Sequence, residues 1–187
     1  TIPIRAMICS TGLDNSTITG DYTIGIKSEW LSLVGDVFGR YISGISGDYL
    51  FHSVPYYSMS EEDLELEEFN KLGEQASQGC VRLAVSDAKW VYDNCPTGTN
   101  VSIYDDAENA GPLGKPDAIK ITDFTNKWDP TDSNKKCPYA KATPIISGAN
   151  DYTIKSGGEF YALAGVTAVD TCGNDITSNI EVFGNVI

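Results

Sequence analysis

Histidine is almost missing from this chain: His52 is the single one among 187 residues. Any imidazole-dependent chemistry must use that position, and a histidine-rich zinc site is excluded. The five cysteines, Cys9, Cys80, Cys95, Cys137 and Cys172, form no CxxC pair, so the other common zinc pattern is absent as well. No metal and no cofactor is expected. Basic residues are scarce, with 13 Lys and Arg against 26 Asp and Glu and a formal net charge of −13. Phosphate binding needs clustered Lys and Arg, so nucleic acid is not an expected partner. An anionic membrane surface would repel such a chain, and no apolar run approaches the length of a membrane span, so no membrane insertion is expected of this segment. No signal-peptide pattern opens the sequence, and Thr1 reads as the start of a processed or trimmed protein.

What is present points to a β-rich protein. Hydrophobic residues make up 41%, enough for a core, and 18 glycines imply many turns. The length accommodates one domain of ordinary size and a small second module. An odd cysteine count in an oxidising compartment reads as two disulfides and one free thiol. In a reducing compartment the same cysteines would be core thiols. We read the chain as secreted.

Ile2, Ile4, Ala6 and Ile8 alternate as in a strand ending near Cys9, and 22–26, 38–45, 49–54 and 101–104 read as further strands, with 119–121 as another. Ser46-Gly47-Asp48 would turn one strand into the next. A helix is expected over 60–72, with Ser60 and Asp63 in a capping-box pattern, acidic residues at its positive end and Gly73 as its stop. Leu64, Phe69 and Leu72 would form its apolar stripe. A second helix is expected from Ser86 to Asn94, with Ala88, Val91 and Tyr92 inward. The polar run 127–137 reads as a linker. Beyond it, Thr153, Phe160, Val166 and Val182 sit in short β-like runs broken by Gly157-Gly158 and Gly173-Asn174. The division is therefore a β-rich domain with two short helices over 1–126, the linker, and a small all-β module over 138–187.

Cys80 is the best partner for His52. A thiol is only a few per cent ionised at neutral pH, and an imidazole base supplies the activation. Cys80 stands in Ser77-Gln78-Gly79-Cys80-Val81-Arg82-Leu83, between the two expected helices. Gly79 leaves room beside the thiol for a substrate backbone, and nearby backbone N–H groups would hold an oxyanion. From spacing alone, a buried structural cysteine and a satisfied strand histidine are the better account of the two residues, since Cys and His occur together in many sequences.

Phe51-His52-Ser53 followed by Ser77-Gln78-Gly79-Cys80-Val81-Arg82-Leu83 resembles the signature of the L,D-transpeptidases of the YkuD type. Ser10-Thr11-Gly12, Thr19-Gly20-Asp21-Tyr22-Thr23-Ile24 and Asp87-Ala88-Lys89-Trp90 are similar to further parts of that family, over roughly residues 1–105. Three departures stand out. Gln78 occupies the place of a usual second histidine, Ile18 that of a common proline, and 24 residues separate His52 from Ser77, a longer spacer than usual.

The resemblance implies a mainly β, L,D-transpeptidase-like β-sandwich and a bacterial, secreted or cell-wall-associated enzyme acting on peptidoglycan stem peptides. Cys80 would be the nucleophile and His52 its base, with Ser53 orienting the imidazole through its carbonyl. D-alanine would leave a stem tetrapeptide, a thioester would form, and an amine of a neighbouring stem would resolve it. Carbapenems would acylate the same thiol. Ser77, Gln78 and Arg82 would meet substrate, although Arg82 fits a structural ion pair equally well. Trp30 and Tyr41 would line the cleft, unless like most aromatics of a β domain they are core. Two other readings stay open: a wall-binding or structural protein impaired by Gln78, and another cysteine peptidase such as a sortase, whose Thr-Leu-x-Thr-Cys motif is absent.

Leu163-Ala164-Gly165-Val166-Thr167-Ala168-Val169-Asp170 followed by Gly173-Asn174-Asp175-Ile176-Thr177 resembles part of a bacterial Ig-like repeat, which implies a spacer or wall-binding module. If Cys80 stays reduced, pairing within domains gives Cys9–Cys95 and Cys137–Cys172. The second bridge would close a loop of about 35 residues and stabilise the small module by about 3 to 4 kcal/mol.

Overall fold

The structure, a computed structural model, describes residues 2–106, 108–109, 111–141, 144–150, 153, 161–169 and 175–180. In chain order the first elements are β1 (Cys9–Ser10), β2 (Gly20–Thr23), β3 (Lys27–Leu33), β4 (Val37–Ser46) and β5 (Tyr49–Ser53). They are followed by α1 (Leu66–Phe69), β6 (Val81–Leu83), α2 (Val85–Asn94), β7 (Asn100–Ile103), β8 (Ile145–Ser147) and β9 (Thr167–Val169). Among the described residues the fold is mainly β with two short α-helices.

Tight turns make β3, β4 and β5 an antiparallel meander. Gly35 and Asp36 adopt φ of 95° and 56° in the first turn, and Gly47 a φ of 53° in the second. β6 then joins β5 in parallel, an arrangement that needs a long crossover, supplied here by 54–80. β1 pairs antiparallel with β6, and the five-stranded order is β1-β6-β5-β4-β3. β2 and β7 form a separate two-stranded sheet. Val54, Tyr56, Leu64, Leu66, Phe69, Leu72, Ala84 and Ile121 make the main core cluster with Ile8. α2 packs on β4 and β5. Among the described residues no helix is long and apolar enough to cross a membrane.

The expected helix over 60–72 shrinks to Leu66–Phe69. Its first turn is drawn into other pairings: Asp63 O accepts from Tyr57 N at 2.9 Å, Leu64 N donates to Lys127 O at 2.9 Å, and Glu65 N donates to Pro55 O at 3.0 Å. Those tertiary bonds outcompete a short helix whose nucleation is costly. The strand expected over 2–8 is reduced to Cys9–Ser10, with Ile2 and Ile4 exposed. Residues 119–121 form no strand; instead Asn70 holds both backbone groups of Ile121, donating to its carbonyl at 2.8 Å and accepting from its amide at 2.6 Å. α2 begins within a residue of its expected start.

Residues 127–137 differ most from expectation. Trp128, Asp129, Asp132 and Cys137 are buried, which a solvated linker would not allow. The polar side chains that read as solvent-facing serve as partners for buried groups. Asp129 Oδ2 accepts from Val85 N at 2.8 Å, capping α2 from a distance, since its own N-cap residue Ala84 has no side chain able to do so. Asp129 Oδ1 accepts from Thr131 N and Oγ1 at 2.8 and 2.7 Å. Asp132 Oδ2 accepts from the buried Arg40 guanidinium at 3.0 Å.

The expected Cys9–Cys95 bridge is corrected: both are free thiols. Cys9 pairs with Leu83 in the sheet, two residues before α2 begins, whereas Cys95 lies at the far end of that helix. Ten helical residues span about 15 Å, beyond the Cα separation of about 7 Å a disulfide tolerates. Cys137 Sγ lies 3.7 Å from the Asp129 carbonyl oxygen. Cys172 lies outside the described residues, as do Gly157, Gly158, Phe160, Gly173, Asn174 and Val182. Of the C-terminal segment, β8 pairs antiparallel with β9, and Val169 bridges Asp175.

If Asp129 anchors 127–137 to α2, Asp129→Ala should destabilise the domain by about 2 kcal/mol or more, because buried donors lose a charged acceptor. Urea denaturation checks this, and an unchanged midpoint would mean that the segment is only a tether.

Candidate active site

His52 lies on β5, between Phe51 and Ser53, and is fully buried apart from 2% of its surface. Its Nδ1 is 2.6 Å from the carbonyl oxygen of Ser53. A carbonyl only accepts, so Nδ1 carries the proton and Nε2 keeps its lone pair. Gly39, on the neighbouring β4, makes room for the ring: a Cβ there would lie 3.1 Å from Nδ1 and 3.0 Å from Ile42 Cδ1. Burial pushes the imidazole down to about 4; the Ser53 carbonyl opposes that shift and the Arg82 charge adds to it.

Cys80 sits just before β6. In the parallel pair, His52 faces Arg82, and residues two apart on a strand share a face. The pairing therefore turns Cys80, Arg82 and His52 to one side of the sheet. All three line one cavity of about 480 Å³, with Gln78 and Gly79 beside them and Leu31 and Leu33 on its apolar wall. Cys80 Sγ is 3.4 Å from the Asp48 carbonyl oxygen. Burial raises the thiol above its ordinary value, partly offset by the Leu50 backbone N–H and by Arg82. Thiol and imidazole thus both rest uncharged on the cavity wall.

The loop carrying Cys80 is tied internally. Ser77 Oγ donates to the Cys80 carbonyl at 2.6 Å and accepts from Gly79 N at 3.0 Å. Ser77 is buried and its hydroxyl is committed to the loop, although it lies on the cavity wall. Gly79 has φ of 141°, and a Cβ there would meet Tyr49 Cε1 at 2.7 Å, so only glycine fits. Gln78 is exposed at the cavity. Arg82 is anchored, with Nη1 donating to Glu68 Oε2 at 2.5 Å and to the Ala76 carbonyl at 3.1 Å.

Trp30 and Tyr41 are not brought to the cavity, which corrects their expected place in the cleft. Leu31 and Leu33 face it, and strand alternation turns Trp30 to the other side, edge-on to Tyr56 at 5.2 Å between ring centroids. Tyr41 packs against Tyr92 of α2, 5.6 Å between centroids, with the Arg40 guanidinium 4.6 Å from its ring. Sequence reading missed Gly39, Glu68, Tyr49 and the Leu31–Leu33 wall. Only Gly39 left a signal, a glycine inside a β-branched and aromatic run, which marks close approach. Among the described residues no group of three or more His, Cys, Asp or Glu is arranged to hold a metal ion.

Residues 2–103 match the family model of the L,D-transpeptidase catalytic domain. A Bacillus subtilis (strain 168) protein named "Putative L,D-transpeptidase YciB" is 38% identical over 108 residues, covering 54% of this chain and 55% of that protein. A solved Clostridium acetobutylicum ATCC 824 protein, described as a fused Zn-dependent amidase/peptidase/peptidoglycan-binding domain-containing protein, is 35% identical. That match covers 51% of this chain and 38% of the other, with a TM-score of 0.38. The structure of LdtMt1 in complex with imipenem is 19% identical over 54% of this chain and 49% of that one, with a TM-score of 0.44. The chain thus spans about half the length, or less, of the relatives it matches.

A single histidine makes the imidazole directly observable by ¹⁵N NMR. At pH 7 the spectrum should show protonated Nδ1 and bare Nε2, with a titration midpoint of about 4. A midpoint near the usual value of about 6.5 would mean that the ring is solvated. Stability against pH is a poorer readout. His52, depressed on folding, loses stabilisation as pH falls from the ordinary histidine value through about 4. Asp129, raised to about 6 by burial, works the opposite way, because the folded state binds its proton first.

Proposed function

The chain belongs to the L,D-transpeptidase family, and from that premise we propose that it is a cysteine acyltransferase of peptidoglycan, with Cys80 as nucleophile and His52 as base. The observation that carries this is the cavity shared by the two side chains on one face of the β5–β6 pair, with Nδ1 pinned and Nε2 open.

The Cys80 thiol passes its proton to His52 Nε2 as Sγ attacks the carbonyl carbon that follows the L-centre of a stem tetrapeptide. The Cys80 backbone N–H holds the oxyanion. As the intermediate collapses, the carbon–nitrogen bond breaks, the leaving D-alanine amine takes the proton from His52, and a thioester remains. An amine of a second stem attacks the thioester, gives a proton to His52, and displaces the Cys80 sulfur, which recovers it. Ser53 keeps the imidazole in the tautomer this requires.

Gln78 and Arg82 meet the stem at the cavity wall, and Ser77 shapes the loop. Arg82 does so from a fixed position, because Glu68 and the Ala76 carbonyl hold one end of its guanidinium. The chain works outside the cytoplasm of a bacterium, secreted or wall-associated, where its substrate lies. The segment beyond about residue 138 serves as an Ig-like spacer or wall-binding module.

Incubation with imipenem followed by intact mass tests the assignment. Ring opening retains every atom of the β-lactam, so the adduct adds the whole inhibitor mass. Wild type should show one adduct, Cys80→Ala none, and His52→Ala acylation slower by about 100-fold or more. Gln78→His should alter the wild-type rate only modestly. If wild type forms no adduct while Gln78→His gains one, the chain is an impaired wall-binding relative; full acylation of Cys80→Ala would overturn the nucleophile.

A further inference from the structure

The loop 11–17 contacts the nucleophile loop through a chain of bonds that the mechanism above does not use. Gly12 N donates to Thr17 Oγ1 at 2.7 Å, and Thr17 Oγ1 in turn donates to the Gly79 carbonyl at 2.9 Å. The direction of this relay is fixed by chemistry. A backbone amide can only donate, so the threonine hydroxyl accepts from Gly12 and has its one proton left for Gly79. The two loops are pressed together at the same point. A Cβ on Gly12 would lie 2.9 Å from Gly79 Cα and 2.9 Å from Thr17 N. Below this contact, Leu13 N donates to Ser77 O at 2.9 Å, and Ala76 N and Ser77 N both donate to Thr11 O at 2.9 and 3.0 Å.

The consequence falls on the peptide joining Gly79 to Cys80. It is trans, so its C=O and N–H point in opposite directions. Thr17 fixes the carbonyl, and Ser77 Oγ fixes the next carbonyl, that of Cys80, at 2.6 Å. With both carbonyls held, the Cys80 N–H has a set direction away from the Thr17 loop. Gly79, at φ of 141°, has no side chain to resist rotation of this peptide, so an outside restraint is needed.

We propose that Thr17 is a positioning residue for this reaction: its hydroxyl, bridging Gly12 N–H and the Gly79 carbonyl, holds the Cys80 N–H as an oxyanion donor. This rests on Cys80 being the nucleophile. The role differs from that of a loop brace in one respect. Acyl transfer develops an oxyanion and needs the donor; alkylation by iodoacetamide, in which sulfur displaces iodide at a saturated carbon, develops none.

The test compares the two reactions at Cys80 in the same folded chain, acylation by imipenem and alkylation by iodoacetamide, both read by mass at the Cys80 peptide. Thr17→Val keeps the shape and removes the relay. It should slow acylation by about tenfold or more, below the loss of about 100-fold or more seen when an oxyanion donor itself is deleted. Alkylation should change by less than about twofold, and Thr17→Ser, which keeps the hydroxyl, should restore acylation to near wild type. Thr17→Ala carries the same expectation without bulk, should valine disturb folding. Equal slowing of both reactions, or unchanged acylation in the hydroxyl-free variants, would overturn the proposal. Acylation persisting in Cys80→Ala would instead overturn the nucleophile assignment on which it rests.

Discussion

The parallel pairing of β5 with β6 is the constraint on which the rest depends. Antiparallel neighbours can be joined by a short turn, but a parallel pair needs a crossover, and here that crossover ends in the loop bearing Cys80. The register His52↔Arg82 then aligns a strand histidine and a cysteine that are far apart in sequence on one face of the sheet. Shifting the register by one residue would turn Cys80 to the opposite face. The register is held by burial on both sides of the pair: Leu50 and His52 line the cavity on one face, while Ser53, Val81 and Leu83 are buried on the other.

Polar side chains from distant segments stabilise this arrangement. Arg40 is buried beneath Trp30 and meets Glu61 and Asp132, while its backbone amide donates to Ser53 Oγ at 2.9 Å, next to His52. Asp129 supplies the cap that Ala84 cannot, so the helix following β6 starts where the sheet requires. Lys27 holds the other end of α2, donating to the Cys95 carbonyl at 2.9 Å and also to that of Tyr92. Segments 27, 40 and 129–132 thus anchor the scaffold around the site without touching its cavity. Desolvation at the site itself keeps His52 neutral and the Cys80 thiol protonated.

Much of the β framework was legible, because β4 and β5 carry β-branched and aromatic residues broken by an obvious glycine turn. The cysteine and histidine stood out by scarcity and motif. β3 was not legible: Lys27–Leu33 mixes charged and apolar residues, and its pairing with β4 is a tertiary choice. The helix over 60–72 read too long because a capping pattern says nothing of competing backbone partners at Pro55 and Lys127. The stretch 127–137 misled most, since aspartates that bind buried donors have the same composition as aspartates in solvent. Trp30 and Tyr41 show the same limit for aromatics, whose face depends on the register of β3 against β4.

The central claim is that the cavity carrying Cys80 and His52 performs acyl transfer on a stem peptide, and product analysis on a stem tetrapeptide ending in D-alanine tests it directly. The account predicts stoichiometric release of D-alanine with a product that joins two stems through the acyl group, found by mass spectrometry. Intact tetrapeptide after prolonged incubation, with Cys80 shown by mass to be reduced and unmodified, would contradict it.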